Sequence, residues 1–365
     1  MQEDFHSRLV RPCKRAGRGF EHGMGNGARN QGTRKSPRHC MGCRRNRQGA
    51  DDKDSRKKSR RRGFKIEAPA GAAGGKMALI LVRYGELALK SHKVRRIFEN
   101  ALAANIRTML GSAGIRAKVW PEFGRVYVRT EGIEGGGGDN VTTALRRVFG
   151  ITSISTVTET TAAPADIMAA ALSASKTLTK EKSFAVRCKR TGNHEYSSQQ
   201  LAAQVGDAIN NATGARVDLD SPDFEISIDV RDKKAFVFTE KIRCAGGMPL
   251  GTQGKVVARL QNENDVVAAW LIMKRGAETI AAGNSKYFEP LVAWGLNYSI
   301  KVETLSYADL EKLALENGAD AIVTGETLDE LEELEKTSLP ILRPLVGMSE
   351  ERIAAKAKSI ISGGI

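Results

Sequence analysis

The stretch Ala78-Leu79-Ile80-Leu81-Val82, which follows Met77, is the first part of the chain with a clear folding pattern. Its residues are all apolar, and a short apolar run of this kind predicts a buried β-strand, here over 78–84. Apolar residues then recur three or four positions apart from Val94 to Leu110, which predicts an amphipathic helix that Gly111 ends. The fold is therefore expected to begin with a strand and a helix.

Working outward from this pair, the alternating patterns predict two small units. The first, over 77–150, adds strands at Ala117–Trp120 and Arg125–Arg129 and a helix at Asn140–Phe149. Its βαββα order suggests a ferredoxin-like fold. The second unit, over 151–245, is expected to contain Ile151–Thr158, Pro164–Thr179, Ser183–Arg190, Gln199–Asn211, Val217–Leu219, Glu225–Val230 and Lys234–Phe238.

A glycine-rich connector at 246–255 leads into a third unit that extends to 365. Its predicted elements are Val256–Ala258, Val266–Arg275, Tyr307–Asn317, Ala321–Val323 and Leu339–Leu342. Strands that alternate with helices predict a parallel sheet. The sequence therefore predicts an α/β protein, in which two α+β units precede a Rossmann-like parallel sheet.

The net charge of +15 is distributed unevenly along the chain. Residues 1–76 hold 21 Lys and Arg against 7 Asp and Glu, residues 77–260 hold 26 against 18, and residues 261–365 hold 10 against 17. The basic middle part is the candidate polyanion binder. The acidic third unit is expected to repel phosphate unless a local site overrides its charge.

Residues 1–76 have no hydrophobic period, and their composition predicts a disordered basic tail. Two interpretations remain open: a basic RNA-binding arm, or an upstream extension of a protein whose translation starts at Met77. Cys40-Met41-Gly42-Cys43 has the spacing of a zinc site, but no second pair of ligands follows at a suitable distance. No metal site is predicted.

The whole chain contains five cysteines, an odd number that favours a reducing cytoplasm over a disulfide scaffold. No run of about 18 uncharged apolar residues is present, so no membrane span and no membrane partner are predicted.

Five stretches occur together in the order of one known family. Arg83–Lys90 is similar to the opening motif of the tRNA 4-thiouridine synthetases, also called tRNA sulfurtransferases, and Val186–His194 resembles the strand and turn of their THUMP domain. Pro249–Lys255 resembles the junction into their PP-loop domain, a HUP-type parallel sheet, which Ala268–Gly276 and Val323–Glu326 continue in register. From about Met77 onward, the chain is identified as a member of this family.

The resemblance implies that the first two units together contact a tRNA, at its acceptor stem and 3′ end. The basic residues near the two matching motifs suit phosphate contacts. The predicted RNA-binding residues are Arg83, Lys90, Lys93, Arg95, Arg96, Arg187, Lys189 and Arg190.

The family's PP-loop, Ser-Gly-Gly-x-Asp-Ser, holds ATP phosphate on backbone N–H groups, which requires small residues. The corresponding interval here, Arg259–Val266, lacks both glycines, is one residue shorter, and places Glu263 where it would repel a triphosphate. The vestigial ATP-binding residues are predicted to be Arg259, Leu260, Asp265 and Gly325. ATP and Mg²⁺ are expected as cofactors only if this degenerate site still works.

The residues that the family uses to carry sulfur are also missing. The position of the first sulfur-handling cysteine is Ala277, and no cysteine follows Cys244. The family's ATP-facing lysine corresponds to Glu303. Because sulfur transfer needs a thiolate, Ala277 cannot replace the cysteine. The remaining Cys188 and Cys244 are predicted to be small buried hydrophobic residues.

Three hypotheses follow. The chain is a tRNA-binding protein in tRNA thiolation without adenylation or sulfur-transfer activity of its own, acting beside a sulfur carrier or a modification enzyme. Alternatively, it is an active ATP-dependent tRNA sulfurtransferase with a divergent loop and a sulfur carrier supplied in trans. The third alternative is an adaptor for an RNA–protein assembly.

Overall fold

The computed structural model describes residues 78–85, 91–122, 124–130, 137–331 and 336–364. The predictions made for residues 1–76 and for Lys90 lie outside these ranges. Over the described part of the chain, no helix is long and apolar enough to cross a membrane.

The first two predicted units form one mixed sheet of nine strands with four helices. In chain order, the elements are β1 (Leu79–Tyr84), α1 (His92–Ser112), β2 (Ala117–Glu122), β3 (Arg125–Thr130), α2 (Gly137–Arg146), β4 (Ile151–Thr161), α3 (Pro164–Ala174), β5 (Ser183–Thr191), α4 (Ser198–Thr213), β6 (Arg216–Val217), β7 (Phe224–Arg231), β8 (Lys234–Phe238) and β9 (Ile242–Arg243).

The strand order in this sheet is β2-β3-β1-β4-β8-β7-β5-β6, and β9 also pairs with β4. The eleven-residue strand β4 joins the two halves, because β1 pairs with its first part and β8 with its last part. The two units therefore share a continuous sheet, and a boundary between residues 150 and 151 remains a prediction.

The four helices cover one face of this sheet. Ile80 and Val82 of β1 face α1 and α2, and Phe184 and Val186 of β5 face α3 and α4. The opposite face carries a smaller apolar cluster around Tyr127 and neighbouring polar side chains. Alternate residues of each strand therefore point to opposite faces of the sheet, one of which is covered by the helices and the other is not.

The third unit is a separate sheet of five parallel strands. Its elements are β10 (Lys255–Leu260), α5 (Glu263–Lys274), β11 (Glu278–Gly283), α6 (Glu289–Val292), β12 (Tyr298–Lys301), α7 (Tyr307–Glu316), β13 (Ala321–Val323), β14 (Ile341–Leu342) and α8 (Glu350–Ile361). The strand order is β12-β11-β10-β13-β14, and all four pairings are parallel. The predicted α/β fold class is confirmed.

The parallel sheet has a topological switch point between β10 and β13, because successive strands are added in opposite directions on the two sides of β10. The chain runs from β10 outward through β11 to β12, and then returns to the other side of β10 to form β13 and β14. Such a switch point opens a crevice beyond the carboxyl ends of the two central strands, where α/β proteins bind ligands. The crevice here lies after Leu260 and Val323.

The connector at 246–255 is tightly packed. A β-carbon on Gly247 would lie 2.1 Å from the carbonyl oxygen of Lys274, and one on Gly150 would lie 3.0 Å from Pro249. Phe149 of the first unit also stacks on Trp294 at 5.5 Å and meets the edge of Trp270 at 5.4 Å. The glycines therefore permit close contact between the first unit and the parallel sheet.

The prediction missed the short elements β9 and α6 and also β11, β12 and α8. Strand β11 has the sequence Glu-Thr-Ile-Ala-Ala-Gly, and its small residues have low strand propensity. Its position between β10 and β12 supplies the backbone hydrogen bonds that hold it extended. Helix α8 buries Ile353, Ala357 and Ile360 at helical spacing, a pattern that was present in the sequence.

Several element ends were also wrong. Helix α3 ends at Ala174 and not at the predicted Thr179. At the observed end, the Ser175 hydroxyl donates to the carbonyl of Leu172 at 3.0 Å. The strand predicted at Val217–Leu219 comprises only Arg216–Val217.

The start of α5 differs in a way that affects the site. This helix begins at Glu263, three residues before the predicted start at Val266, because the Asn262 side chain caps it by accepting a bond from the N–H of Asp265 at 2.9 Å.

Candidate nucleic-acid interface and nucleotide site

A basic cleft of about 690 Å³ lies where the ends of several strands of the large sheet meet the start of α1. Residues from the end of β1, the first turns of α1, the start of β3 and the turn between β7 and β8 line it. The acidic and basic side chains on its walls are His92, Arg95, Arg96, Glu99, Glu122, Arg125, Arg231 and Asp232. The cleft therefore brings together four arginines from three elements that are distant in sequence.

Two of these arginines are held by one buried carboxylate. Asp229 is 4% exposed and accepts two bonds from Arg231, at 2.8 and 3.1 Å. The same carboxylate lies 3.9 Å from Arg125, whose pKa is lowered by burial and by the nearby Arg231. A fixed pair of guanidinium groups is suited to a phosphate, because little side-chain freedom remains to be lost on binding.

The first turns of α1 supply the other wall. Lys93 and Arg96 are exposed, Arg95 is half-buried, and no acidic residue lies in the first turn. Unpaired N–H groups and the helix dipole add positive potential at this end. Behind them, Tyr84 donates to Glu99, and burial together with this bond raises the pKa of Tyr84.

The basic residues of β5 are divided between the two faces of the sheet. Arg187 and Lys189 project from the face without helices, whereas Arg190 projects to the other face and contacts His194 at 3.4 Å. Lys189 is exposed. Arg187 donates to the carbonyl of Leu219 and lies 3.6 Å from Glu225, so part of its hydrogen-bonding capacity and charge is already satisfied within the protein.

Arg83 is less available than predicted. Its guanidinium lies 4.5 Å from the ring centre of Phe238 and donates to the Ser155 hydroxyl at 3.0 Å. Burial, with Arg125 nearby, lowers its pKa to about 10. Arg83 therefore helps to order the sheet face.

The prediction did not include Arg125 and Arg231, which form the centre of the cleft. Each lies at a strand end in a pattern that also fits a solvent-exposed residue. Their convergence depends on the strand order β3-β1-β4-β8-β7, which connects residues far apart in the chain. The local sequence contains no signal for it.

In the third unit, the crevice between β10 and β13 is filled by the side chain of Asp265, which is fully buried. Its carboxylate accepts bonds from the N–H of Gln261 at 2.9 Å, the N–H of Gly325 at 2.7 Å and the Nε of Arg259 at 3.3 Å. Two backbone N–H groups and a guanidinium are the donors that phosphate sites use. An internal carboxylate occupies them here.

A second carboxylate extends this network. Glu326 lies 3.2 Å from Arg259 and 2.6 Å from Arg343, and accepts a further bond from Tyr307. Burial acts to raise the pKa of Glu326, but the bonds from Tyr307 and Arg343 outweigh it, and the pKa lies below its ordinary value. Burial likewise acts to lower the pKa of Arg259, but Asp265, with a smaller effect of Glu326, outweighs it and raises the pKa.

The four predicted vestigial residues thus meet at the crevice, but in a closed arrangement. Gly325 packs directly against the start of α5, since a β-carbon there would lie 2.3 Å from the backbone nitrogen of Asp265. Arg259 and Leu260 are the last residues of β10. Glu263 lies in the first helical turn instead of in a loop around the phosphates.

The two cysteines of the described region lie in the large sheet and at its exit. Cys244 is buried as predicted, and burial raises its pKa to about 12. Cys188 was also predicted to be buried, but its side chain is only partly buried. Burial nevertheless raises its pKa to about 11, so both side chains are thiols at neutral pH.

Comparison with known proteins matches the two units of the large sheet to defined domains. Residues 79–155 match the ThiI ferredoxin-like domain, and residues 166–240 match the THUMP domain.

Curated relatives extend the match beyond these domains. A probable tRNA sulfurtransferase from Thermococcus kodakarensis is 34% identical over 339 residues, covering 77% of this chain and 87% of the relative. Another from Methanobrevibacter smithii is 32% identical over 344 residues, covering 77% and 86%.

Two solved structures have a similar fold. The crystal structure of PH1313 from Pyrococcus horikoshii has a TM-score of 0.67 and 28% identity, and the match covers 78% of this chain and 99% of that one. The crystal structure of a 4-thiouridine synthetase–RNA complex with bound ATP has a TM-score of 0.63 and 25% identity, and covers 78% and 85%. The chain therefore belongs to the tRNA sulfurtransferase family.

Proposed function

We propose that this protein binds tRNA through its ferredoxin-like and THUMP units and acts in tRNA thiolation in the cytoplasm, without adenylating or thiolating the tRNA itself. The acceptor stem and the 3′ end are the proposed contacts. A sulfur carrier or a separate modification enzyme is the proposed partner that supplies the chemistry.

The basic cleft supports the RNA-binding part of this proposal. Arg125 and Arg231 are fixed by the buried Asp229, and Arg95 and Arg96 face them from α1. Cations that are fixed in this way bind a phosphate backbone without reading its sequence. The exposed Lys189 lies on the adjoining sheet face and extends the positive surface.

The buried Asp265 carries the other part of the proposal. It satisfies the two backbone N–H groups and the arginine that a triphosphate would need at the switch point. A nucleotide would have to displace this carboxylate and then remain beside Glu326, and both carboxylates repel phosphate. The position of Ala277, buried at the start of β11, also offers no thiolate for sulfur transfer.

The RNA-binding part can be tested by measuring the salt dependence of tRNA affinity. Because each lost phosphate contact reduces the slope by roughly 0.7–0.9, we expect the double substitution Arg95→Ala plus Arg96→Ala to reduce it by about 1.4–1.8. Lys312→Ala, an exposed change on α7, is the matched control and should leave the slope unchanged.

Two further comparisons locate the RNA contact. A tRNA without its single-stranded 3′ tail should bind less tightly if the cleft holds that end. The chain without residues 1–76 should retain its preference for folded tRNA. An unchanged slope in the Arg95 and Arg96 variant, or complete loss of binding without the tail, would contradict the proposed interface.

Catalysis is tested by incubating the full chain with tRNA and Mg-ATP and measuring pyrophosphate release. We expect no release that depends on tRNA, with or without an added persulfide donor. Release at a rate above that of the protein-free control would favour the alternative of an active sulfurtransferase with a divergent loop.

A further inference from the structure

A second exposed pocket lies on the parallel-sheet unit, where α8 packs beside α5. It has a volume of about 440 Å³, and its walls are Leu271, Met348, Arg352, Ala355 and Lys356. The described part of the pocket thus combines an aliphatic floor with two cations. It shares no residue with the basic cleft or with the crevice filled by Asp265.

The two cations project from neighbouring turns of one helix. Arg352 and Lys356 are four residues apart on α8, which places them on one face about 6 Å apart along the helix axis. The Nζ of Lys356 lies 4.1 Å from the ring centre of Trp270, and the Nζ of Lys274 lies 5.1 Å from the same ring. The indole therefore holds the ammonium of Lys356 beside a second cation.

Among the described residues, neither Arg352 nor Lys356 forms an ion pair. Some cations of the same unit are paired: Arg259 lies beside Asp265 and Glu326, and Lys255 beside Glu278. Residues 261–365 contain 17 acidic residues against 10 basic ones, so carboxylates are plentiful in this unit. Because Arg352 and Lys356 line one pocket and pair with no described carboxylate, their charge remains available to an anion from outside the unit.

The electrostatics around Lys356 agree with this interpretation. Burial and the proximity of Lys274 lower the pKa of Lys356, and no carboxylate in the described part of the chain opposes them. An incoming carboxylate would remove this destabilisation of the ammonium form.

The aliphatic floor distinguishes between two kinds of anionic partner. An RNA strand would use the cations, but the described residues of the pocket offer no exposed aromatic ring on which to stack its bases, since the adjacent Trp270 is only 1% exposed. The acidic surroundings would also repel a long polyanion. A short peptide with carboxylates on either side of an apolar side chain matches both the cations and the floor.

We propose that the pocket between α5 and α8 docks an acidic segment of a partner protein, with an aliphatic side chain inserted between Leu271 and Met348 and carboxylates on Arg352 and Lys356. This site would allow a bound tRNA and a partner enzyme to be held by different parts of the same molecule. It stands independently of the proposed RNA-binding role, because it involves none of the same residues.

The test is photo-crosslinking of the full chain to the synthetic peptide Gly-Glu-Glu-Leu-Glu-Glu-Gly, in which the leucine carries a diazirine. The position of each crosslink is found by mass spectrometry, so that binding of the peptide elsewhere on the chain does not interfere. We expect crosslinks on the segments containing Leu271 or Met348. They should decrease at least tenfold when the glutamates of the peptide are replaced by lysines.

The protein variants complete the test. Arg352→Glu plus Lys356→Glu should remove these crosslinks, and Arg352→Gln plus Lys356→Gln should weaken them while preserving the helix. Lys312→Glu is the matched control on α7 and should retain them. Crosslinks that persist in the double glutamate variant, that are absent from the wild-type pocket, or that form equally with the lysine peptide would overturn the proposal. A loss of tRNA affinity in the double glutamine variant would also overturn it.

Discussion

Replacement of Asp265 by alanine should destabilise the parallel-sheet unit and, at the same time, create an anion site. The substitution leaves the N–H groups of Gln261 and Gly325 without their acceptor. Each buried donor that loses its partner costs about 1–3 kcal/mol. Arg259 also loses one of its two carboxylates but keeps Glu326. Since breaking a buried ion pair typically costs about 3–5 kcal/mol, we expect a loss of that size.

The assay is urea unfolding followed by tryptophan fluorescence, because Trp270 and Trp294 both lie in the core of this unit. Asp329→Ala is the matched control, since this carboxylate is exposed, and it should change stability by less than about 0.5 kcal/mol. A loss below about 1 kcal/mol for Asp265→Ala would refute the idea that this carboxylate closes the crevice.

Inorganic phosphate provides a second measurement on the same variants. With the carboxylate removed, phosphate can accept the freed N–H bonds, and a concentration ten times its Kd would restore about 1.4 kcal/mol. The wild-type chain and the Asp329→Ala variant should gain only the smaller effect of the added salt. Equal gains in all three proteins would show that the crevice is not a closed anion site.

Three further outcomes are expected. Lys189→Ala plus Arg190→Ala should weaken tRNA binding and reduce its salt slope, mainly through the exposed Lys189; an unchanged slope would exclude this face. The lowered pKa of Glu326 means that its contribution to stability is complete above its ordinary pKa of 4.5 and decreases as pH falls, so urea unfolding of Glu326→Gln should depend less on pH below this value; an equal dependence would contradict the assignment. Because burial raises the pKa of Cys188 to about 11 and that of Cys244 to about 12, both should react with iodoacetamide at pH 8 at least tenfold more slowly than in urea, as measured by peptide mass spectrometry; rapid reaction in the folded chain would show that they are accessible thiolates.

Most of the fold could be predicted from the sequence, because the apolar residues of its long helices and strands recur at regular spacing. Helix α1 and the alternating strand β3 were located within a few residues of their observed ends. The missed strand β11 depends on its neighbours instead, since its alanines gain their extended conformation from pairing with β10 and β12. A single sequence does not display that pairing.

The site was only partly accessible for the same reason. The basic residues at the start of α1 could be predicted, because they cluster in the sequence just after the Arg83–Lys90 motif. Arg125 and Arg231 could not, because Asp229 joins them only after β3 and β7 have been brought together by the rest of the sheet. The missing glycines predicted a degenerate ATP site, but the closure of the crevice by Asp265 depends on contacts between the start of α5 and the distant Gly325, which the local sequence does not display.

We propose that the crevice at Gln261–Asp265 no longer holds nucleotide while the basic cleft binds RNA. The most direct measurement is a crystal structure of the full chain with tRNA at millimolar Mg-ATP. We expect RNA density along Arg95, Arg96, Arg125 and Arg231, with Asp265 still bonded to the N–H groups of Gln261 and Gly325. Triphosphate density over Gln261–Asp265, with the Asp265 side chain displaced, would contradict it.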